Sequence, residues 1–211
     1  MAGIYGHIPF CKSKCSYCDF ASFPDKLCYA ESYMACVYRE MSFRRKELKD
    51  YAFDTLYIGG GTPSVIDESY IGMLIASARK NFNLAKNAKI TIEINPGTVT
   101  AEKIDFYKKC GVNRYSVGLQ SAIDSQLEDI GRIHTAKDFL DCAALLKGEN
   151  FNAYVLISLK GQTATDVDYT LNFAAQAGAN NISTFSNTPE DATPIEPNYF
   201  HADSPLSDHS T

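Results

Sequence analysis

The sequence predicts an α/β fold, a partial (βα)6 TIM-like barrel followed by an irregular C-terminal tail. Short apolar stretches of strand character alternate six times with stretches of helical periodicity. The connections between them are short, which favours parallel βαβ units. The chain has 211 residues, of which 45% are hydrophobic, and this suits one domain with a substantial core. We expect a core domain over residues 1–187 and an irregular or disordered tail over residues 188–211, where prolines recur and apolar periodicity is weak.

The strands are predicted from short apolar or alternating runs, several of which end at turn residues. Pro9 ends the first run, and Asn95-Pro96-Gly97 ends the third. The expected strands cover residues 3–8, 53–58, 89–94, 112–119, 153–159 and 181–185.

The helices are predicted from apolar residues that recur every three or four positions. Pro24 and Asp25 mark the start of the first helix, which we expect to reach about Lys49. Val167 and Leu171 lie on the apolar face of the fifth. The expected caps are Asp67, Thr100 and Thr135 at helix starts, the last in a capping box with Asp138, and Gly111 and Gly148 at helix ends.

Composition and charge exclude several classes of function. The net charge is −5, and the longest basic run, Arg44-Arg45-Lys46, is read as a solvated helix face and not as a nucleic-acid site. No apolar run approaches the roughly 18 residues of a membrane span, and the N-terminus enters a strand without a signal peptide. Four cysteines are scattered along the chain beside one local triplet. This favours a reducing compartment, and we expect the cytoplasm.

The local triplet is Cys11, Cys15 and Cys18, at spacing C-x3-C-x2-C. Thiolates are the soft ligands that hold iron–sulfur clusters. Three of them leave one iron of a four-iron cluster free to bind a small molecule through an amine and a carboxylate. Two alternatives stay open: a zinc site completed by His7, and inert core thiols.

The triplet, with the lead-in from His7 to Cys11, resembles the radical S-adenosylmethionine (SAM) superfamily. Within it, the pattern is similar to the branch of oxygen-independent coproporphyrinogen oxidases and HemW heme chaperones. The resemblance implies a radical SAM barrel that holds a 4Fe–4S cluster on the three cysteines, with SAM as the exchangeable fourth ligand. It also implies an electron donor, reductive cleavage of SAM, and a 5′-deoxyadenosyl radical that abstracts hydrogen from a substrate.

The unusual residues fall where the predicted strands end, and this edge of such barrels carries the functional site. The cysteine loop follows strand one and a glycine run follows strand two, while Glu93 and Gln120 end strands three and four. The resemblance implies SAM contacts by Tyr5, Tyr17, Gly60, Gly61, Thr62, Glu93, Gln120 and Arg132.

The implied SAM contacts would be made by different chemical groups: backbone amides, a carboxylate and a guanidinium. Gly59 to Pro63 matches the family's GGGTP motif at the methionine end of SAM, although a tight turn is the alternative. Glu93, in an E-x-N-P motif, could accept hydrogen bonds from a ribose or an ammonium, or be a solvated rim residue. Arg132, in a GRxH segment, could pair with the SAM carboxylate in a forked geometry. His134 is either a polar residue at a helix start or an active-site residue, and His7 is expected to hydrogen-bond the cluster loop.

The resemblance weakens after about residue 135. The family carries an aspartate on strand five, and Tyr154 stands in its place. Relatives continue into a closing helix and a C-terminal domain, so the chain resembles a truncated member of the family.

The resemblance leaves three functions open. Coproporphyrinogen oxidases often carry a further cysteine two residues after the third, where this chain has Phe20. This favours a HemW-like heme chaperone, with heme or a porphyrin as its ligand. The alternatives are a true oxygen-independent coproporphyrinogen III oxidase and an inactive, truncated cluster-binding remnant, so whether the chain is an enzyme stays open.

Overall fold

The structure, a computed structural model, describes residues 2–187 and Thr193. A single six-stranded sheet runs through it in the order β1-β2-β3-β4-β5-β6, and every neighbouring pair is parallel. Within the described residues β1 and β6 do not pair with each other, so the barrel is partial, as predicted. The strands are β1 (Ala2–Ile8), β2 (Ala52–Gly60), β3 (Asn83–Ile94), β4 (Arg114–Gln120), β5 (Phe151–Ile157) and β6 (Asn181–Ser186).

Helices follow the strands in the alternation that the sequence predicts. The first predicted helix begins as a 3-10 turn, Pro24–Tyr29, and its α-helical part ends at Arg44, short of Lys49. A further short helix, α4, was not predicted, because six residues are too few to show a periodicity. The helices are α1 (Ala30–Arg44), α2 (Glu68–Asn81), α3 (Ala101–Cys110), α4 (Asp124–Asp129), α5 (Ala136–Leu145) and α6 (Ala164–Gln176).

Capping side chains begin the helices where the sequence places them. Asp67 accepts a hydrogen bond from the backbone of Ser69, and Thr100 accepts one from Lys103. Thr135 forms the predicted capping box with Asp138. Each such cap contributes about 1 kcal/mol to helix stability.

Two helices were predicted to end at glycines, and the structure confirms only one of these ends. Gly111 ends α3 in the left-handed conformation that glycine adopts without strain, with φ of 101°. The end of α5 was predicted at Gly148 but lies at Leu145, because the chain leaves the helix through a turn whose amides still bond to the carbonyls of Ala143 and Ala144.

The sheet extends beyond the predicted bounds at two places that matter for the site. Strand β2 continues into the glycine run as far as Gly60, which pairs with Ile8 of β1. Strand β3 begins at Asn83, because Asn83 and Leu84 pair with the start of β2. The predicted tail over 188–211 lies outside the described residues apart from Thr193.

The two faces of the sheet differ in polarity. Ile90, Ile92 and Ile94 of β3 are buried in the apolar core that the sheet shares with the helices. Thr91 and Glu93 alternate with them and point to the inner face of the barrel, because successive side chains of a strand leave on opposite sides. The core therefore lies outside the sheet, and the inner face is left free for polar groups.

Among the described residues, no helix has the length and apolar character needed to cross a membrane.

The core contains two fully buried tyrosines, Tyr107 and Tyr115, whose hydroxyls have no hydrogen-bond partner among the described residues. Replacing Tyr107 by Phe should leave the free energy of unfolding unchanged or raise it by up to about 1 kcal/mol, since the unpaired polar group is removed. The control is Tyr38→Phe, because the Tyr38 hydroxyl donates to the Tyr70 carbonyl at 2.9 Å and its loss should cost about 1 kcal/mol. Urea denaturation measures both. A larger loss for Tyr107→Phe than for Tyr38→Phe would contradict this prediction.

Candidate cofactor site

The cysteine loop leaves the end of β1 and is fixed at its base. The amide of Phe23 donates to the Pro9 carbonyl at 2.7 Å, which closes the loop behind the cysteines. Phe10 is buried and meets Tyr33 of α1 edge-to-face, with ring centroids 5.5 Å apart. The Nε2 of His7 lies 2.8 Å from the Ala21 carbonyl while its Nδ1 lies 3.0 Å from the Tyr5 hydroxyl. The predicted hydrogen bond from His7 to the cluster loop is therefore confirmed.

The glycine run lies directly against this loop. The amide of Gly61 donates to the Ile8 carbonyl at 2.9 Å, and that of Thr62 donates to the Phe10 carbonyl at 2.7 Å. A Cβ on Gly61 would lie 2.6 Å from the Phe10 carbonyl oxygen and 2.8 Å from the Cys11 Sγ. Gly60 has a φ of 121°, which other residues rarely adopt. Glycine is thus required here because the backbone of β2 lies too close to the cysteine loop for a side chain. A tight turn alone would not explain this requirement.

One cavity of about 120 Å³ gathers the predicted residues at the carboxyl ends of the strands. Tyr5 is the exception: it does not line this cavity but stacks on Tyr57, with ring centroids 6.1 Å apart, and is 59% exposed. The predicted residues that line the cavity are Cys11, Cys15, Cys18, Tyr17, Gly60, Gly61, Thr62, Glu93, Gln120 and Arg132. The cavity also contains Asn95, Ser116, Gly118 and Tyr154, which were not predicted as cofactor contacts.

The three cysteines are all free thiols on this cavity. Cys11 is buried, and the Thr62 hydroxyl lies 3.6 Å from its Sγ. Burial raises the pKa of the Cys11 thiol, and hydrogen bonds from the Thr62 and Ser22 hydroxyls partly oppose the rise. Three thiol groups on one cavity, which the glycine run leaves clear of side chains on one side, fit a 4Fe–4S cluster.

A single zinc ion would need a different arrangement. Zinc ligands converge on one point, whereas each thiolate of a cluster binds its own iron. Within the described part of the chain, no three His, Cys, Asp or Glu side chains group closely enough to hold one ion. The arrangement of thiols thus gives no support to the zinc alternative.

Glu93 of β3 lines the cavity and is held in place by two groups of β2. Its Oε1 accepts from the Tyr57 hydroxyl at 2.6 Å, and its Oε2 accepts from the Gly60 amide at 3.1 Å. Burial raises the pKa of Glu93, and these two hydrogen bonds act against the rise by favouring the ionised form. Since each carboxylate oxygen can accept a second bond, Glu93 can still bind a ligand while it fixes the glycine run.

Tyr154 extends this network to β5. Its hydroxyl lies 2.6 Å from that of Tyr57, and its ring meets Phe185 of β6 edge-to-face at 5.3 Å. Burial and the neighbouring Glu93 raise the pKa of Tyr57, so its phenol stays protonated and donates. Where the family resemblance implies an aspartate, this chain therefore offers the hydroxyl group of Tyr154.

Gln120 ends β4 with a φ of 68°, an uncommon conformation for a residue other than glycine. Its side chain is buried and lines the cavity. Strained backbone of this kind is typical of functional sites, where surrounding contacts maintain it.

Arg132 directs most of its hydrogen-bond donors to protein groups. Its Nη2 donates to Asn95 Oδ1 at 2.9 Å and to the Gly118 carbonyl at 3.1 Å, and its Nη1 lies 3.8 Å from the Cys15 Sγ. Its Nε donates to His134 Nδ1 at 3.2 Å. A guanidinium has five N–H groups, and the Tyr17 hydroxyl also hydrogen-bonds to Arg132, so a forked pair with a carboxylate would require Arg132 to release protein partners. The SAM role of Arg132 stays a prediction.

His134 is buried outside the main cavity, and it supports Arg132. Its Nε2 lies 3.2 Å from the Leu119 carbonyl, so the proton is assigned to Nε2, and Nδ1 accepts from Arg132. Burial, with a further contribution from Arg132, lowers the pKa of His134 to about 4. Its role is thus to orient the guanidinium, and Thr135 is the residue that caps α5.

The fold and the site together define a class of protein. A family model described as the radical SAM superfamily matches residues 5–174. The chain belongs to the radical SAM superfamily. Members of this superfamily hold a 4Fe–4S cluster and SAM, and the residues on the cavity fit both.

The similar curated proteins belong to one group within the superfamily, the HemW heme chaperones. The chain is 32% identical to the heme chaperone HemW of Buchnera aphidicola (Schizaphis graminum), over 91% of this chain and 52% of that protein. It is 33% identical to HemW of Escherichia coli, over 92% of this chain and 51% of the relative. The chain thus spans about half the length of these relatives.

A solved structure confirms the fold. It is the structure of coproporphyrinogen III oxidase, HemN, of Escherichia coli, described as a radical SAM enzyme. It superposes with a TM-score of 0.81 at 23% identity, over 93% of this chain and 49% of that one. The predicted radical SAM barrel is therefore correct.

His134 gives a prediction about pH. Its pKa is about 4 in the folded chain against an ordinary value of 6.5, so the unfolded chain binds the proton first as the pH falls. The stability contributed by neutral His134 is complete above the ordinary pKa and is lost as the pH falls toward the folded value, by roughly 3 kcal/mol. We expect His134→Gln, which cannot titrate, to lose less stability than the wild type between pH 7 and pH 4.5.

Chemical denaturation of the cluster-free protein at several pH values measures this difference. Groups other than His134 titrate in both proteins, so the comparison isolates one side chain. Parallel pH profiles for the two proteins would show that His134 is not held neutral.

Proposed function

We propose that Cys11, Cys15 and Cys18 hold the 4Fe–4S cluster and that SAM binds beside it, on Gly60, Gly61, Thr62, Glu93, Gln120 and Arg132. The proposal is supported by the convergence of these residues on one cavity, although they come from five separate segments of the chain. When bound, the cluster supplies an electron to SAM. The chain's own part is to position both groups and to cover them, with the partly buried side chains of Tyr17 and Glu93 limiting the access of water.

We further propose that the chain is the radical SAM portion of a HemW-type heme chaperone in heme metabolism. The observation that carries this proposal is the run of HemW relatives at 31–33% identity over about nine-tenths of the chain. Phe20 agrees with it, because it occupies the position of the oxidases' additional cysteine and is 62% exposed beside Cys18. Heme or a porphyrin as ligand, and a protein or small molecule as electron donor, belong to the same proposal.

A second candidate, the oxygen-independent coproporphyrinogen III oxidase, is favoured by one feature. A further cavity of about 290 Å³ adjoins the cofactor cavity and shares Glu93, Gln120 and Tyr154 with it. Phe20, Leu156 and Phe185 add apolar surface to its wall. An oxidase would use such a space for its substrate, so both candidates are compared in one assay.

The cluster is tested by anaerobic reconstitution of the full chain with iron and sulfide. We expect a brown protein with about four irons per chain, and loss of the iron in Cys11→Ala, Cys15→Ala and Cys18→Ala. Cys28→Ala and Cys36→Ala are matched controls, because both cysteines are exposed near or on α1 and away from the cavity. A colourless protein that binds one zinc, or equal iron in all five variants, would contradict the proposal.

The reconstituted protein then separates the candidate activities. A heme chaperone should change the Soret absorption of hemin on titration, whereas an oxidase should convert coproporphyrinogen III and release 5′-deoxyadenosine when SAM and a reductant are present. A protein that holds the cluster but does neither is the inactive remnant. Conversion of coproporphyrinogen without a hemin response would reject the chaperone in favour of the oxidase.

A further inference from the structure

The segment that carries Arg132 lies directly on the cysteine loop. The Ser16 amide donates to the Ile130 carbonyl at 3.1 Å. Gly131 adopts a φ of 72°, and a Cβ there would lie 3.5 Å from the Ser16 nitrogen and 3.7 Å from the Cys15 Cα. The backbone thus presses against the middle of the cysteine loop, between the second and third cysteines.

The guanidinium that follows joins this loop to two strands. It contacts Cys15 on the loop, Asn95 after β3 and Gly118 within β4. Gly118 makes room for it, because a Cβ there would lie 3.0 Å from Arg132 Nη2 and 2.7 Å from Asn95 Oδ1. His134 holds the remaining edge of the guanidinium through Nε. Hydrogen bonds to separate segments of the chain thus restrain the side chain of Arg132.

This position has a consequence for the cysteine it approaches. Nη1 of Arg132 is 3.8 Å from the Cys15 Sγ, the distance of a weak N–H···S hydrogen bond. Hydrogen bonds and positive charge at a cluster thiolate stabilise the reduced cluster, which carries the more negative charge. A donor at this sulfur therefore raises the reduction potential.

We propose that Arg132 is a positioning residue for the cluster, which holds Cys15 against the ends of β3 and β4 and raises the reduction potential of the cluster. The inference rests on the proposed assignment of the cluster to the three cysteines. In this proposal, Arg132 acts on Cys15 and on the cluster even when SAM is not bound. Because the donors of the guanidinium are directed to protein groups, any contact with the SAM carboxylate would require Arg132 to release one of these partners.

The test compares Arg132→Gln and Arg132→Lys with the wild type, each reconstituted without SAM. Potentiometric titration followed by visible absorption and electron paramagnetic resonance should give a more negative potential for both variants, with the larger shift for Gln, which also loses the charge. Arg44→Gln is the matched control, because Arg44 is an exposed arginine at the end of α1 that bonds to Glu47. A potential in Arg132→Gln equal to that of the wild type would overturn the proposal, since a residue that serves SAM alone would give this result.

A second measurement uses the protein without any cluster. Hydrogen exchange at the Ser16 amide should be at least tenfold faster in Arg132→Gln than in the wild type, because the loop loses its connection to β3 and β4. Unchanged exchange would overturn the positioning role. If the wild type fails to bind iron and sulfide, the proposed function fails, and exchange still decides whether Arg132 holds the loop. Arg132→Lys serves for both measurements if Arg132→Gln does not fold.

Discussion

The contact between the glycines of β2 and the loop after β1 determines the shape of the site. Two backbone hydrogen bonds, from Gly61 to Ile8 and from Thr62 to Phe10, extend the pairing of β1 and β2 past the end of the sheet. This pairing brings the backbone within van der Waals distance of Cys11, where any side chain on Gly61 would collide. The cysteine loop is then fixed on one side by β2 and on the other by the segment that precedes α5. The cysteine loop contains no helix or strand of its own between β1 and the 3-10 turn that begins at Pro24, so these two contacts supply its rigidity.

The inner face of the sheet explains why the cavity can be polar at all. Because the apolar core lies between the sheet and the helices, the inner face does not need to be apolar. Two buried groups on that face, Ser116 Oγ and Asn152 Nδ2, have no partner among the described residues, and the two residues are neighbours in the register of β4 and β5. An unpaired buried polar group costs about 1–3 kcal/mol, which a bound water or ligand recovers. These unpaired groups therefore lower the free energy of unfolding, and one of them belongs to Ser116, which also lines the cofactor cavity.

The local parts of this structure could be predicted from the sequence, and the long-range parts could not. The cysteine triplet, the glycine run and the caps at Asp67 and Thr100 depend on neighbours within a few positions, so their patterns indicate them directly. The partial barrel could be predicted in the same way, because the alternation of strands and helices is visible in local sequence patterns. Tyr57 and Tyr154 are 97 positions apart, and their contact depends on the register of four strands. The family resemblance predicts Tyr5 as a cofactor contact; its ring stacks on Tyr57, and its contact with SAM stays a prediction.

Asn95 and Gly118 show which further signals were available. Asn95 stands in the E-x-N-P motif that drew attention to Glu93, and its side chain bonds to Thr62 as well as to Arg132. Its polarity just past a buried strand was therefore a signal. Gly118 lies inside a strand, where glycine is unfavourable and often marks a close approach. That approach is to the guanidinium of Arg132, which no local pattern could specify.

The tyrosine on β5 changes the electrostatics of the cavity as well as its shape. A carboxylate at position 154 would face Glu93 through the same network, and two carboxylates that share a site resist being ionised together. The Tyr154 hydroxyl bonds to Tyr57, whose own proton is directed to Glu93. This arrangement leaves Glu93 as the carboxyl group next to the glycine run, and the hydrogen bonds from Tyr57 and Gly60 favour its ionised form. A cation or a hydroxyl of a ligand therefore finds a fixed acceptor in Glu93, which residues of β2 and β5 hold in place. A tyrosine, where the family resemblance implies an aspartate, keeps this wall of the cavity polar without adding a second carboxylate.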